Sequence, residues 1–295
     1  MSIRSDVLHG SAACVASGFF GTTAGGERVF LHTLANGGIT VRCLDFGGAV
    51  HSIEVPDRSG RADNVVLGFD GLKEYERDRS WCGVLCGPVA GRIAGASVHL
   101  GERELSLEAN EGTTCLHSGS AGFSKSVWKG MTFCDGLIAG IRFSLTTLPG
   151  EWGFPGVLSA KAVYTLDGGG GLSLEWEAWS SEDTLFAPTF HGYFNLGGQD
   201  SVSVEDHRLL LRAGRYMPLD GQSLPRLPEP VGGTPFDFRS SRPPLPVDLF
   251  DHPFLPDEGR GIDIPCAVLD HPASGRRMEL FTDQPAVVFY GGRSL

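Results

Sequence analysis

The sequence predicts an all-β protein, built as one large antiparallel β-sandwich with very little helix. Three observations support this fold class. The 295 residues include 42 glycines, about twice the usual share, which argues against a helical bundle. Apolar residues alternate with polar ones, or form short runs, in segments of strand length that end at turn-forming residues. Almost no window shows the apolar period of an amphipathic helix.

The predicted strands follow one another with the spacing of antiparallel sheets. They are residues 28–34, 39–46, 50–55, 64–68, 139–148, 156–166, 172–179, 207–211, 264–269, 277–282 and 286–290. Residues 73–79 carry charges of both signs, and we expect a solvated surface turn or short helix there. No internal repeat and no linker marks a boundary, so we expect residues 1–295 to form a single domain.

Three segments fit neither a strand nor a simple turn. Residues 88–96, 108–120 and 218–242 are rich in Gly, Pro and small residues. Loops of this length are uncommon in a compact domain unless they carry function. We therefore expect the functional residues to lie on these loops.

Charge and cysteine content exclude several classes of partner. The formal net charge of −11 disfavours binding to nucleic acid. No run of 18 apolar residues is present, so no membrane-spanning helix is expected.

The seven cysteines lack the spacing of a zinc site, and we expect them to be buried free thiols. Free thiols fit a reducing compartment, so a cytoplasmic protein is expected, with secretion as the minor alternative.

Three of the nine histidines stand in distinctive settings. His117 lies within the loop at 108–120, His191 precedes Gly-Tyr-Phe-Asn, and His252 follows an aspartate. Imidazole can both give and regain a proton near neutral pH, because its ordinary pKa is close to 6.5. The other six histidines are better explained as structural side chains, and so is His191 when it is taken without the wider motif pattern.

Nine motifs, taken together, resemble the aldose 1-epimerase, or galactose mutarotase, family in that family's order and spacing. They lie at residues 57–69, 87–94, 116–119, 123–128, 151–156, 191–196, 233–239, 250–254 and 284–285. The resemblance implies a single large β-sandwich of the galactose mutarotase type, a supersandwich. It also implies an isomerase that interconverts the α and β anomers of free aldohexoses, such as galactose or glucose, through the open-chain aldehyde.

The resemblance assigns the acid of this reaction. The chemistry requires an acid that protonates the ring oxygen and a base that removes the proton from the C1 hydroxyl. His191 matches the family's general acid, and His117 matches a second histidine that hydrogen-bonds the sugar near its ring oxygen. No metal, nucleotide or other cofactor is needed, so we expect none, and the expected partner is a small free sugar.

Four further residues match the family's sugar-binding positions. Arg92 matches an arginine whose rigid fork of donors suits neighbouring hydroxyls, and Asp251 matches an aspartate that accepts from the C2 hydroxyl. Tyr193 and Gln284 match weaker, secondary positions. Structural roles stay open: Arg92 could tie its loop to the surface, and Asp251 could cap a turn before Pro253.

Three departures from the family pattern concern substrate preference. Pro88 replaces an arginine that is common beside the first Gly of its motif. Gly91 stands where many members have Asn, which removes one potential hydroxyl contact. Ser118 replaces the first Gly of the family's Leu-His-Gly-Gly and adds a hydroxyl beside His117.

One expected residue has no counterpart. In the family a glutamate that follows the strand at 286–290 serves as the base for the C1 hydroxyl, and these 295 residues contain no match. Three explanations stay open: a chain that lacks the family's C-terminal strands, a recruited carboxylate, or a sugar-binding or sensing protein of the same fold that lacks catalysis. A glycoside hydrolase is more distant, since it requires two carboxylates across one cleft.

Overall fold

The protein folds mainly into antiparallel strands. The structure is a computed structural model that describes residues 2–4, 13–259, 261–293 and 295. Its one α-helix within those residues, α1, spans Leu72–Arg77, and four 3-10 turns lie at Ala94–Ala96, Phe123–Lys125, Glu151–Gly153 and Val247–Leu249. The strands are β1 Ser2–Arg4, β2 Cys14–Thr22, β3 Arg28–Asn36, β4 Ile39–Leu44, β5 Val50–Pro56, β6 Ala62–Asn64, β7 Leu85–Cys86, β8 Arg92–Ile93, β9 Ser97–Leu100, β10 Arg103–Ser106, β11 Cys115–Leu116, β12 Lys129–Cys134, β13 Ile138–Thr146, β14 Leu158–Asp167, β15 Leu172–Ser180, β16 Thr189–Phe190, β17 Arg208–Leu211, β18 Arg215–Tyr216, β19 Glu229–Pro230, β20 Asp251–Leu255, β21 Ala267–His271, β22 Arg276–Leu280 and β23 Val287–Tyr290.

Two sheets form the main sandwich. Strands β2 to β6 make a five-stranded sheet, and β12 to β15 make a four-stranded sheet, both in sequence order. In β14 every second residue from Leu158 to Leu166 is buried, as expected for a strand with one face on a core. Val41 and Ile53 of the first sheet share that core with Ile141 of the second. Burial of these side chains supplies the main favourable term in folding.

A second core lies between two further four-stranded sheets. One has the order β1-β22-β21-β17 and the other β19-β18-β20-β23. Phe238, Phe250 and Phe254 are about 1% exposed and belong to this core. The rings of Phe238 and Phe250 meet edge to face with centroids 5.1 Å apart, a favourable aromatic geometry. The short pairs β7–β16 and β8–β11 hold the loops that carry the candidate site.

A buried arginine joins β22 to the edge of the first sandwich. Arg276 is 3% exposed. Its guanidinium donates to the carbonyl oxygens of Val55 at 3.0 Å, Leu196 at 3.0 Å and Arg61 at 3.3 Å. A buried charge is costly unless its donors are used, and three backbone acceptors use them here. Leu196 lies five residues after His191, so this contact also fixes the segment that carries the candidate acid.

The predicted all-β sandwich with little helix is confirmed, with corrections to its elements. The strand predicted at 64–68 is wrong, because β6 ends at Asn64 and Val66 forms only an isolated bridge to Phe194. Strands β2 and β12 were not predicted. Ser and Gly interrupt the apolar pattern of β2, and Gly interrupts that of β12.

The charged cluster at 73–79 does form a short helix, but it is not solvated throughout. Tyr75 of α1 is buried at 1% exposure, and Leu72 is buried beside it. All seven cysteines are free. Five are buried as predicted, whereas Cys14 and Cys134 are exposed because they lie at strand ends. No helix among the described residues is both long and apolar enough to cross a membrane.

We predict that Arg276→Met lowers the free energy of unfolding by about 2 kcal/mol, because it removes three charged hydrogen bonds to backbone carbonyls. The carbonyls of Leu196 and Arg61 each keep a second donor, the Ser274 hydroxyl and the Asp57 N–H. The matched control is Arg277→Met, at the next position of β22, where the side chain is 47% exposed and pairs with Asp270 and Glu279. Exposed ion pairs contribute about 1 kcal/mol or less. Urea denaturation of both variants measures the difference, and equal losses would show that Arg276 is not an anchor.

Candidate active site

Loops from three parts of the sequence meet at the candidate site. Strand β8 pairs with β11, so that Arg92 lies opposite Leu116 and next to His117. Strand β7 pairs with β16, which places His191 directly after a paired residue. Ala187 joins these two regions through two backbone hydrogen bonds of 2.8 Å. Its N–H donates to the Pro88 carbonyl, and its carbonyl accepts from the Ala90 N–H. Backbone pairing therefore brings the two histidines together.

His117 and His191 form a pair of imidazoles. Their ring centroids are 5.2 Å apart and the ring planes are nearly perpendicular, at 84°. Both residues are half-buried, so each ring retains a surface that a small ligand can reach. No hydrogen bond joins the His191 imidazole to another residue in the described part of the chain. The structure thus brings together the two histidines that the family resemblance assigns to the sugar's ring oxygen.

Four hydrogen bonds fix the loop that carries His117. The His117 N–H donates to the Gly91 carbonyl at 2.9 Å, and the Gly91 N–H donates to Nδ1 of His117 at 3.1 Å. The Ser118 hydroxyl accepts from the Val89 N–H and lies 2.9 Å from the Val89 carbonyl, to which it donates. His117 and Ser118 have φ values of 52° and 69°, in the left-handed region that non-glycine residues seldom adopt. The added hydroxyl of Ser118 thus holds the strained turn.

The Gly91 N–H also fixes the chemical state of His117. Because Nδ1 accepts a hydrogen bond, a neutral His117 carries its proton on Nε2. Burial lowers the pKa of His117 to about 3, with further lowering by His191 and Arg92. The imidazole is therefore neutral at physiological pH and presents a fixed N–H donor.

Backbone bonds on two sides hold the segment around His191. The Gly83 N–H donates to the His191 carbonyl, and the His191 N–H donates to the Val84 carbonyl, both at 2.9 Å. Gly83 has a φ of 68°, and a Cβ there would lie 2.5 Å from the Val50 carbonyl, so only glycine fits. Burial lowers the pKa of His191. This effect is larger than the opposing effects of its own backbone and of the Asp78 carboxylate, which raise the pKa. A protonated His191 is thus a readier proton donor than histidine in water.

Arg92 lies between two carboxylates. Its guanidinium makes a two-bond contact with Glu111, in which Nη2 donates to Oε1 at 3.0 Å and Nε donates to Oε2. Its Nη1 lies 3.9 Å from Oδ2 of Asp251. Bonding to Arg92 lowers the pKa of Glu111, whereas burial raises the pKa of Asp251 against the opposing effects of Arg92, His252 and Arg293. Glu111, which sequence reasoning missed, fixes Arg92, and the remaining guanidinium edge faces Asp251.

Aromatic side chains line the site beside His191. The Tyr193 ring lies 5.0 Å from His191 and 6.0 Å from Tyr290, the β23 residue paired with Asp251. Tyr193 donates its hydroxyl proton to the Ser80 carbonyl at 2.8 Å, so it supports the site instead of presenting a free hydroxyl. Trp81, also missed from the sequence, lies 4.7 Å from His117 between ring centroids. Its only sequence signal is a tryptophan within a polar turn.

Two of the distinctive sequence positions lie apart from this group. Gln284 is exposed in the turn between β22 and β23, where its amide donates to Asp283, and no described contact joins it to the histidines. An open cavity of about 330 Å³ lies at that turn. His252 accepts from the Asp251 N–H at 3.1 Å and its ring lies 4.5 Å from that of Phe236. His252 therefore positions the backbone of Asp251.

One group of described side chains has the spacing of metal ligands: Asp206, His207 and His271. Its atoms are already engaged. Asp206 contacts both imidazoles, at 3.2 Å and 2.8 Å. His207 accepts from the Leu196 N–H at 2.9 Å, and His271 lies 2.8 Å from the Ser274 hydroxyl. The group is best described as an anchor for Leu196, and none of its residues lies with the imidazole pair.

We predict that the lowered pKa of His117 makes stability depend on pH. A histidine that resists protonation in the folded state stabilises the fold above its unfolded pKa near 6.5, and this stabilisation falls as the pH drops toward about 3. His117 alone then contributes a loss of about 2 kcal/mol between pH 7 and pH 5. Urea denaturation at both pH values should show a smaller loss in His117→Gln and the full loss in His99→Gln, an exposed site on β9. The same loss in all three proteins would contradict this.

Comparison with known proteins identifies the family of the chain. The sequence model of the aldose 1-epimerase family matches residues 31–295. Galactose mutarotase of Sus scrofa is 37% identical over 269 residues, covering 87% of this chain and 75% of that protein. Galactose mutarotase of Homo sapiens is 36% identical over 296 residues, covering 96% and 83%.

The fold is also that of solved structures. The crystal structure of galactose 1-epimerase from Lactobacillus acidophilus matches with a TM-score of 0.84 at 29% identity, covering 96% of this chain and 84% of that one. The resemblance seen in the sequence is thereby confirmed at the level of both sequence and fold. The chain belongs to the aldose 1-epimerase family.

Proposed function

We propose that this protein is an aldose 1-epimerase, or mutarotase, which interconverts the α and β anomers of a free aldohexose such as galactose or glucose. The observation that carries the proposal is the imidazole pair, with centroids 5.2 Å apart. Beside it, Arg92 lies 3.9 Å from Asp251. An acid, a neutral donor and a polar clamp for hydroxyls are thus grouped, because His117 bonds Gly91, the residue before Arg92.

The reaction breaks the bond between C1 and the ring oxygen. His191 gives a proton to the ring oxygen while a base, either water or a carboxylate beside the site, takes the proton of the C1 hydroxyl, and the open-chain aldehyde results. Rotation about the bond between C1 and C2 presents the other face of the aldehyde, and closure by the reverse proton transfers gives the other anomer. The lowered pKa of His191 suits it to releasing the proton, and regaining it completes the cycle.

His117 has a different role from His191. Its proton is fixed on Nε2 by the Gly91 N–H, and its pKa of about 3 keeps the ring neutral. It therefore serves as a hydrogen-bond donor to the sugar near the ring oxygen, not as a proton carrier. His117 thus orients the sugar ring, and His191 protonates it.

The pair Arg92 and Asp251 binds hydroxyls. A guanidinium offers donors and a carboxylate offers acceptors, and their 3.9 Å separation leaves both able to bond hydroxyls on neighbouring carbons. Of the two carboxylates beside Arg92, Glu111 is the weaker base, because its bond to the guanidinium lowers its pKa. The burial of Asp251 makes it the stronger base of the two. The relatives' names, galactose mutarotase and aldose 1-epimerase, support the same reaction.

The cellular setting is part of the proposal. All seven cysteines are free, which supports a reducing compartment such as the cytoplasm. The partner that the site fits is a small free sugar, which is neutral and needs no basic surface.

Polarimetry of freshly dissolved α-galactose and α-glucose tests the function. Micromolar protein at neutral pH should bring the optical rotation to its equilibrium value faster than buffer does for at least one sugar. Rotation that changes no faster than in buffer, for both sugars, would overturn the proposal.

We predict that His191→Asn lowers the rate of mutarotation by at least about a hundredfold, the usual contribution of a positioned acid. Asparagine retains polarity in a smaller side chain but cannot carry a proton. The control is His99→Asn, at an exposed position of β9, which should retain the wild-type rate. An undiminished rate in His191→Asn would show that the acid lies elsewhere.

A further inference from the structure

We propose that Trp81 is a substrate-binding residue of this site, whose indole packs on the C–H face of the pyranose and whose N–H donates to one of the sugar's hydroxyls. The inference rests on the proposed function and deepens it, because it names the residue that recognises the apolar side of the substrate. Four observations carry it: the position of the indole, the bonds that hold it, its backbone conformation and its unused donor.

The indole forms a wall beside both histidines. Its centroid lies 4.7 Å from that of His117 and 6.4 Å from that of His191. A sugar atom hydrogen-bonded to either imidazole lies about 3 Å from a ring nitrogen. A sugar that bonds both imidazoles on the side where the indole lies therefore contacts the indole.

The chain around Trp81 is held from one side by a carboxylate. Asp78 accepts hydrogen bonds from the backbone N–H groups of Ser80 and Cys82, each at 2.8 Å, and from the Ser80 hydroxyl. These bonds close the turn on both sides of Trp81. The carboxylate that shapes this turn also raises the pKa of His191 slightly against burial.

The side chains of two further residues also bond this turn. Lys125 donates through Nζ to the carbonyls of Asp78 at 2.7 Å and Tyr75 at 2.8 Å. Tyr193 donates to the Ser80 carbonyl at 2.8 Å. Lys125 belongs to the motif at 123–128, which gives that motif a role: it supports the turn that presents Trp81.

Trp81 adopts an unfavourable backbone conformation. Its φ of 54° lies in the left-handed region, which is a genuine outlier for a bulky residue. Such conformations persist where the surroundings over-determine them, and they concentrate at ligand sites. His117 and Ser118 share this conformation, so three strained residues line the same site. A strain maintained by so many bonds indicates that the placement of the indole is used.

The indole has surfaces left for a ligand. Trp81 is half-buried. No acceptor in the described part of the chain takes its N–H, and that N–H is not a buried atom without a partner, so it is open to solvent. The face of an indole is electron-rich, while the C–H groups of a pyranose present a weakly positive, apolar face. A hydroxyl at the edge of that face can accept from the N–H.

The test compares Trp81→Phe, Trp81→Leu and the wild type. Phenylalanine keeps an aromatic face but removes the N–H donor, whereas leucine keeps apolar bulk without an aromatic face. The matched control is Trp179→Phe on β15, where the tryptophan is 63% exposed. Mutarotation of α-galactose followed by polarimetry gives kcat and KM, and tryptophan fluorescence during a galactose titration reports binding.

We expect Trp81→Leu to raise KM about tenfold, with kcat within about threefold of wild type, and Trp81→Phe to be intermediate. Galactose should change the fluorescence of the wild type and of Trp179→Phe but not that of Trp81→Phe. A KM of Trp81→Leu within twofold of wild type, or a fluorescence change that persists in Trp81→Phe, would overturn the inference. If Trp81→Leu does not fold, as judged by thermal melting, the kinetics and fluorescence of Trp81→Phe decide.

The two proposals fail separately. A wild-type protein that binds galactose through a Trp81-dependent fluorescence change without accelerating mutarotation would refute the proposed function and support the role of Trp81. Accelerated mutarotation with no effect of the Trp81 substitutions would do the reverse. A wild type that neither binds nor catalyses would refute both.

Discussion

The hydrogen bond from the Gly91 N–H to Nδ1 of His117 is the constraint on which the candidate site depends. It is 3.1 Å long, and the His117 N–H returns a bond to the Gly91 carbonyl at 2.9 Å. Together they tie the loop of one histidine to the strand that carries Arg92. Because the acceptor is Nδ1, the Nε2 proton is the one available to a ligand. Removing water from the ring then keeps it neutral.

The rest of the fold holds the bonded Gly91 and His117 against His191. The segment that carries His191 bonds Gly83 and Val84 on one side. On the other side the Leu67 N–H donates to the Tyr193 carbonyl, and the Leu196 carbonyl accepts from Arg276. Loops positioned so completely by backbone bonds behave like parts of the sheets. This gives the placement that proton transfer requires, where small displacements of the reacting groups cost much rate.

Much of the fold could be predicted from the sequence, since half-buried strands such as β14 show their alternation directly. Strands β2 and β12 could not, because Gly and Ser break their pattern. For the site, His117, His191, Arg92 and Asp251 are brought together as the family motifs predicted. Glu111 and Trp81 were missed, because a two-bond ion pair and a strained turn depend on how loops meet in space. Gln284 lies in an exposed turn, which its short motif did not reveal.

The protonation state of His117 tests the central claim most directly. Nitrogen-15 chemical shifts of the imidazole nitrogens, assigned by comparison with His117→Gln, distinguish a protonated from an unprotonated ring nitrogen. The account predicts a proton on Nε2, an unprotonated Nδ1, and no change in either shift between pH 7.5 and pH 5. A proton on Nδ1, or a His117 that titrates with its ordinary pKa near 6.5, would contradict it.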